Sequence, residues 1–212
     1  IESLSALANL SFNNPGWSFP KISEKHGIFN ADALGHPLMP KDKLVTNSFS
    51  TEGDEGLNLI TGSNMAGKST FLRSVGVNIV LAMMSSAVYG RSFTVANMKV
   101  ISSMWVSDNL EENTSTFYAE LKKLKELIEA VYQNEKVFLL LDEILRGTNS
   151  ADRHAGSKAL IKQLIQHNAV GLIATHDLEL AKLAQEYPNQ LHNYHFDVQV
   201  ANDELYFDYK LK

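Results

Sequence analysis

The sequence predicts an α/β fold: a mostly parallel sheet flanked by helices and finished by an antiparallel hairpin. Three observations carry this. Short apolar runs at 57–61, 136–141 and 169–174 alternate with segments of helical spacing. Those runs are almost wholly apolar, as strands covered on both faces are. A glycine-bearing loop, Gly62–Gly67, joins the first run to a helix in strand, loop, helix order.

Taken in order, Leu4, Leu7, Ala8 and Leu10 have the spacing of an amphipathic helix that Asn13-Asn14-Pro15-Gly16 breaks. A loop-rich stretch follows, with short strands expected near 28–33 and 44–47. Residues 57–61 predict a strand, 68–84 a helix and 95–106 a strand. Phe117, Leu121, Leu124, Leu127, Ile128 and Val131 predict a helix over 115–133. A strand at 136–141, a helix at 151–167, a strand at 169–174 and a helix at 178–185 complete the alternation. Residues 190–199 and 204–212 alternate as a β-hairpin turning at Ala201-Asn202-Asp203. We divide the chain into an opening segment, 1–20, which a family resemblance given below marks as the end of a helical connector, and a main domain, 21–212. Because it begins at Ile1 rather than Met and stops straight after an alternating run, it is expected to be a piece of a larger protein.

The 212 residues are 44% hydrophobic and 20% charged, enough to bury a core without staples. There is no cysteine, so disulfides and thiolate metal sites contribute nothing, which favours the cytoplasm. No apolar run is long enough to span a bilayer and no membrane partner is expected. The formal net charge of −5 argues against this chain being a main DNA-gripping surface. Its compact basic cluster, Lys122, Lys123 and Lys125, alternates with leucines and reads as the solvated face of a helix.

Gly62-Ser63-Asn64-Met65-Ala66-Gly67-Lys68-Ser69 fits the phosphate-loop pattern G-x-x-x-x-G-K-[ST]. Glycines let the backbone curl so that its N–H groups face a phosphate, and the following helix adds its positive end. Lys68 then reaches the outer phosphates and the Ser69 hydroxyl a Mg²⁺ ion. This predicts binding of ATP with Mg²⁺. The strand 137–141 ends in Asp142-Glu143. Burying charge is costly, so acids at a strand's C-terminal end project into a site there. Asp142 is expected to hold Mg²⁺ through its water shell, and Glu143 to act as general base on the attacking water. The next apolar strand ends in Thr175-His176-Asp177, which offers His176 as a γ-phosphate sensor or water-orienting group.

Strand, phosphate loop, Asp-Glu strand and Thr-His strand together are shared by ABC-type ATPases. Four segments resemble the C-terminal ATPase domain of the DNA mismatch repair family MutS. Thr61–Thr70, TGSNMAGKST, looks like its phosphate loop. Ser115-Thr116-Phe117 with Glu120 is similar to its STF-x-x-E signature. Asp142-Glu143-Ile144 with Arg146-Gly147-Thr148 resembles its DEIGRGT. Gly35-His36-Pro37-Leu38 resembles its HP element. Leu145 departs from that pattern, where the family usually has Gly. So do Asn149–Arg153 in place of a Ser-Thr-x-Asp-Gly run, Asn113-Thr114 before the signature serine, and Ala87–Gly90 in place of a Val-Pro-Ala. These mark a divergent member.

The resemblance implies ATP hydrolysis to ADP and phosphate, with Lys68, Glu143 and His176 catalytic. It implies nucleotide contacts along Gly62–Thr70, and an adenine held by Leu44 and Val45, with Asn47 nearby and His195 stacked on the base. It also implies a homodimer of the full-length protein in which Ser115 of one chain faces the nucleotide of the other, while this piece alone is weakly dimeric or monomeric. DNA would be contacted through domains outside it, on mismatches or, alternatively, on recombining or branched DNA. A transporter cassette would call for a Leu-Ser-Gly-Gly-Gln-like signature, which is not visible.

Overall fold

The computed structural model describes residues 1–51, 56–104, 116–133, 135–201 and 204–212. The strands are β1 (Lys21–Ser23), β2 (Phe29–Leu34), β3 (Asn47–Thr51), β4 (Gly56–Thr61), β5 (Ser92–Ala96), β6 (Lys99–Ser103), β7 (Val137–Asp142), β8 (Val170–Thr175), β9 (Leu191–Ala201) and β10 (Glu204–Leu211). The helices are α1 (Glu2–Asn13), α2 (Lys68–Met83), α3 (Thr116–Tyr132), α4 (Ser150–Gln166) and α5 (Leu183–Glu186).

Six strands form one sheet in the order β10-β9-β4-β8-β7-β6, with every pairing parallel except β9–β10. A second sheet has the order β1-β5-β2-β3 and is antiparallel apart from β1–β5. The fold is therefore α/β with two mixed sheets, where the sequence suggested a single mostly parallel one.

All residues of β4, β7 and β8 are buried, because both faces of the large sheet are covered. Period-2 alternation sorts them. Ile60, Phe138, Leu140, Leu172 and Ala174 join α2 and the small sheet, with Phe71 of α2 meeting Phe49 of β3 at 5.8 Å between ring centres. Leu57, Leu59, Leu139, Leu141 and Ile173 face the other way and pack with α3, α4 and α5. The C-terminal ends of β4, β7 and β8 thus open side by side at one rim, where the loops that follow them meet.

Three boundaries differ from the sequence reading. The run 95–106 is not one strand: β5 ends at Ala96 in the small sheet and β6 begins at Lys99 in the large one. Local pattern cannot show that a chain changes sheets. Leu44 and Val45 lie in a loop, half-buried, and β3 starts only at Asn47. The segment after Asp177 begins as a 3-10 turn, Leu178–Lys182, before α5. β1 is too short to show a pattern of its own.

α1 is exposed or half-exposed along its whole length, and Leu4 and Phe12 face solvent. Asn14 closes it by donating from Nδ2 to Leu10 O at 2.8 Å. The HP element is tied to α2 by the fully buried Asn78, whose Nδ2 donates to Gly35 O at 2.9 Å and whose Oδ1 accepts from Tyr89 N–H at 2.7 Å. No helix among the described residues is long and apolar enough to cross a membrane.

Candidate functional site

A cavity of about 720 Å³ opens at the rim where β4 hands over to α2. One wall is the phosphate loop, represented by Asn64, Met65, Gly67, Lys68, Ser69 and Thr70, with Glu143 beside it. Gly62 has φ +144 and Gly67 φ +107, and a Cβ on Gly62 would lie 2.8 Å from Phe196 O. Neither position accommodates a side chain without strain, which is why the motif carries glycine there. Met65 is also left-handed, at φ +69, although it has a side chain. Such a residue costs on the order of 1 kcal/mol and persists where the surroundings over-determine it.

Lys68 is 4% exposed, and its Nζ donates to Gly62 O at 2.7 Å and Ser63 O at 2.8 Å, closing the loop on itself. Burial lowers the pKa of its ammonium, Glu143 and Asp142 pull it back up, and Arg146 adds to the lowering. The net direction is down, because burial disfavours the charge more than the two carboxylates favour it.

β7 delivers the acids. Its backbone pairing with β8 continues one residue further, with Glu143 N–H donating to Ala174 O at 2.9 Å. Asp142 is 5% exposed, and its Oδ1 is buried with no hydrogen-bond partner among the described residues. A buried, unsatisfied carboxylate oxygen calls for a cation or water. Glu143 has φ +49, and three cationic or ionisable groups surround its carboxylate. Lys68 Nζ is 3.9 Å away, His176 Nδ1 3.4 Å and Arg146 Nη2 3.4 Å. Arg146 also donates from Nε to Glu143 O at 3.0 Å and from Nη2 to Asp142 O at 3.4 Å, clasping the loop it belongs to. The groups that sequence spacing placed on three separate strands therefore converge.

The turn after His176 is braced by Asp177. Its backbone N–H donates to Thr175 Oγ1 at 3.0 Å, its Oδ1 accepts from Glu179 N–H at 3.0 Å, and its Oδ2 meets His154 Nδ1 of α4 at 2.6 Å. Burial pushes the Asp177 carboxyl up, but the hydrogen bonds from His154 and Glu179, with the charges of His154 and His176, bring it below its ordinary value. Thr175 thus fixes the backbone turn after β8.

Much of the remaining lining is apolar or aromatic: Leu34, Met39, Leu44, Val45, Phe196 and Tyr209, the last two against the phosphate loop at Gly67. Tyr209 was not singled out from the sequence. It sits at φ +53 in an irregular stretch of β10, where the register with β9 shifts between Phe207 and Leu211. Asn47 holds the bulge by donating from Nδ2 to Tyr209 O at 3.1 Å and accepting Leu211 N–H on Oδ1 at 2.8 Å, while Lys210 Nζ donates to Thr46 O at 2.7 Å. The sequence does carry one trace of the bulge: Asp208 accepts Lys210 N–H at 3.0 Å, an Asx turn. His195 does not line this cavity; its Nε2 faces Asp197 Oδ1 at 3.2 Å and its side chain is half-exposed. Ser115 lies outside the described residues.

The residues present fit a nucleoside triphosphate with its metal ion. Lys68 and Ser69 line the cavity at the curled loop, the carboxylate with the orphaned oxygen is near enough for its charge to act on Lys68, and the apolar lining suits a flat ring.

The family model described as MutS domain V matches residues 58–212. MutS protein homolog 4 of Homo sapiens is 34% identical over 188 residues, covering 83% of this chain and 20% of that protein. The Mus musculus protein of the same name is 35% identical over 188 residues, covering 83% of this chain and 19% of that protein. The chain thus spans about a fifth of the length of the curated relatives it matches.

Proposed function

This chain belongs to the MutS family, and from that premise we propose that it is a P-loop ATPase domain of the ABC type, binding ATP with Mg²⁺ and hydrolysing it to ADP and phosphate. The observation that carries the reading is the buried, unpartnered Oδ1 of Asp142 next to the phosphate loop.

Ser69 and Asp142 would hold the metal ion, which would supply charge neutralisation at the transferring phosphoryl group. Lys68 exchanges the carbonyls of Gly62 and Ser63 for phosphate oxygens. Glu143 is the anion that faces Lys68, His176 and Arg146. An arriving triphosphate offers these groups a better partner, which leaves the Glu143 carboxylate to accept a proton from the attacking water. Oxygen attack on the γ-phosphorus breaks its bond to the bridging oxygen, and ADP leaves. His176 orients the water or reads the γ-phosphate.

In the whole protein we place this cycle in a DNA-processing role typical of the MutS family. Two such domains pair, each offering Ser115 to the other's nucleotide, and domains outside this chain hold the DNA. Residues 1–20 would connect to them. The test is calorimetric and kinetic. ATP with Mg²⁺ should raise the melting temperature, and phosphate should be released in proportion to ATP consumed. Both should disappear in Lys68→Ala. Full nucleotide-dependent stabilisation of Lys68→Ala would refute the assignment of the site.

A further inference from the structure

After Asp142 the chain makes two left-handed turns within three residues, at Glu143 with φ +49 and Leu145 with φ +59, around the buried Ile144. Neither is glycine, so the conformation has to be imposed from outside the loop. Two contacts impose it at Leu145. Its backbone N–H donates to Glu120 Oε1 of α3 at 2.6 Å, a charge-assisted bond at the short end of the range. Its side chain occupies a notch on α4 that exists because residue 156 is glycine: a Cβ on Gly156 would stand 2.4 Å from Leu145 Cδ1. Two residues back along the same loop is the Glu143 carboxylate. Glu120 itself lies in the first turns of α3.

We propose that Glu120 is a positioning residue for Glu143: by holding the Leu145 N–H, it locks the left-handed loop and ties the aim of the Glu143 carboxylate to the position of α3. The physical reason is economy of freedom. With Leu145 released, the loop relaxes toward right-handed or extended backbone, and a shift of an ångström at the carboxylate removes it from the line of the attacking water. Because Glu120 lies about one turn into α3, which begins at Thr116, any partner that moves the start of α3 moves this bond too. The kinetic part of the inference rests on the ATPase reading; the structural part does not.

The experiment uses the full-length protein with Glu120→Ala, Glu120→Gln and the double variant Glu120→Ala, Leu145→Gly. Amide exchange of the peptide covering residues 142–148 reports the lock without reference to turnover. It should quicken in Glu120→Ala and return toward wild type in Glu120→Gln, whose side-chain carbonyl still accepts the bond. In steady-state kinetics, Glu120→Ala should lower kcat by about tenfold with KM within about twofold, and Glu120→Gln should recover most of the loss. Glycine adopts the left-handed conformation without help, so Leu145→Gly should make the Glu120→Ala loss smaller. Unchanged exchange in Glu120→Ala, or unchanged kcat alongside quickened exchange, would overturn the proposal. So would a Glu120→Gln variant as slow as Glu120→Ala. Absent turnover in the wild-type protein would instead refute the ATPase reading, and the exchange comparison would still decide whether Glu120 holds the loop.

Discussion

The two walls of the cavity are built on opposite principles. The phosphate wall stores unfavourable arrangements: left-handed Met65 and Glu143, a buried ammonium facing its own loop carbonyls, and an orphaned Asp142 oxygen. The wall proposed to hold the base is made of satisfied pieces, with apolar side chains from a loop and three strands and a bulge whose backbone groups Asn47 pairs. The difference teaches where ligand energy goes. Under the proposed function an anion would engage the Lys68 ammonium and a cation the orphaned Asp142 oxygen, so the first wall would set whether nucleotide binds. The second offers area and shape.

The largest expected effect comes from removing the cation. Lys68→Ala should abolish the stabilisation by ATP and Mg²⁺, worth about 2.7 kcal/mol at a hundredfold excess over Kd, in a melting experiment. Next, Glu143→Gln keeps shape and removes the base. Turnover should fall by roughly 10² to 10⁴, with nucleotide affinity retained, in paired phosphate-release and binding assays. Retained turnover would mean that the strained acid is structural and would erase the contrast between the walls. Smaller effects belong to the base wall. Tyr209→Ala should weaken ADP binding by about fivefold, the worth of roughly 1 kcal/mol of aromatic contact, while leaving kcat unchanged. His195→Ala run beside it sharpens the comparison. If His195 rather than Tyr209 weakens binding on truncation, the base wall rearranges around its ligand.

The smallest effect concerns the brace behind His176. The folded pKa of Asp177 is depressed, so its stabilisation is present in full above the ordinary carboxylate value and fades as pH falls through the lower folded value. His154→Ala removes the strongest hydrogen bond responsible. Its acid-unfolding curve should lie below wild type near neutral pH and meet it in strong acid. Parallel curves throughout would show that the His154–Asp177 contact contributes nothing through ionisation.

The phosphate wall was readable from the sequence because its chemistry is contiguous. Gly62–Ser69, Asp142-Glu143 and Thr175-His176 each sit at the end of an apolar run, and a strand's end is where a buried run has to release its charges. The two-sided burial of β4, β7 and β8 was largely legible, since most of their residues are apolar on both faces. Tertiary structure alone decided the rest. Tyr209 and Phe196 reach the cavity because β10 slips its register against β9 and Asn47, 162 residues from Tyr209 along the chain, receives the slipped backbone. Leu145 tolerates a conformation suited to glycine because Glu120 and a hole at Gly156 come from two different helices. The run 95–106 crosses between sheets at a point its composition does not mark. Contiguous chemistry follows from local physics of burial and charge, whereas a wall made of single residues from distant strands exists only once the sheets have packed.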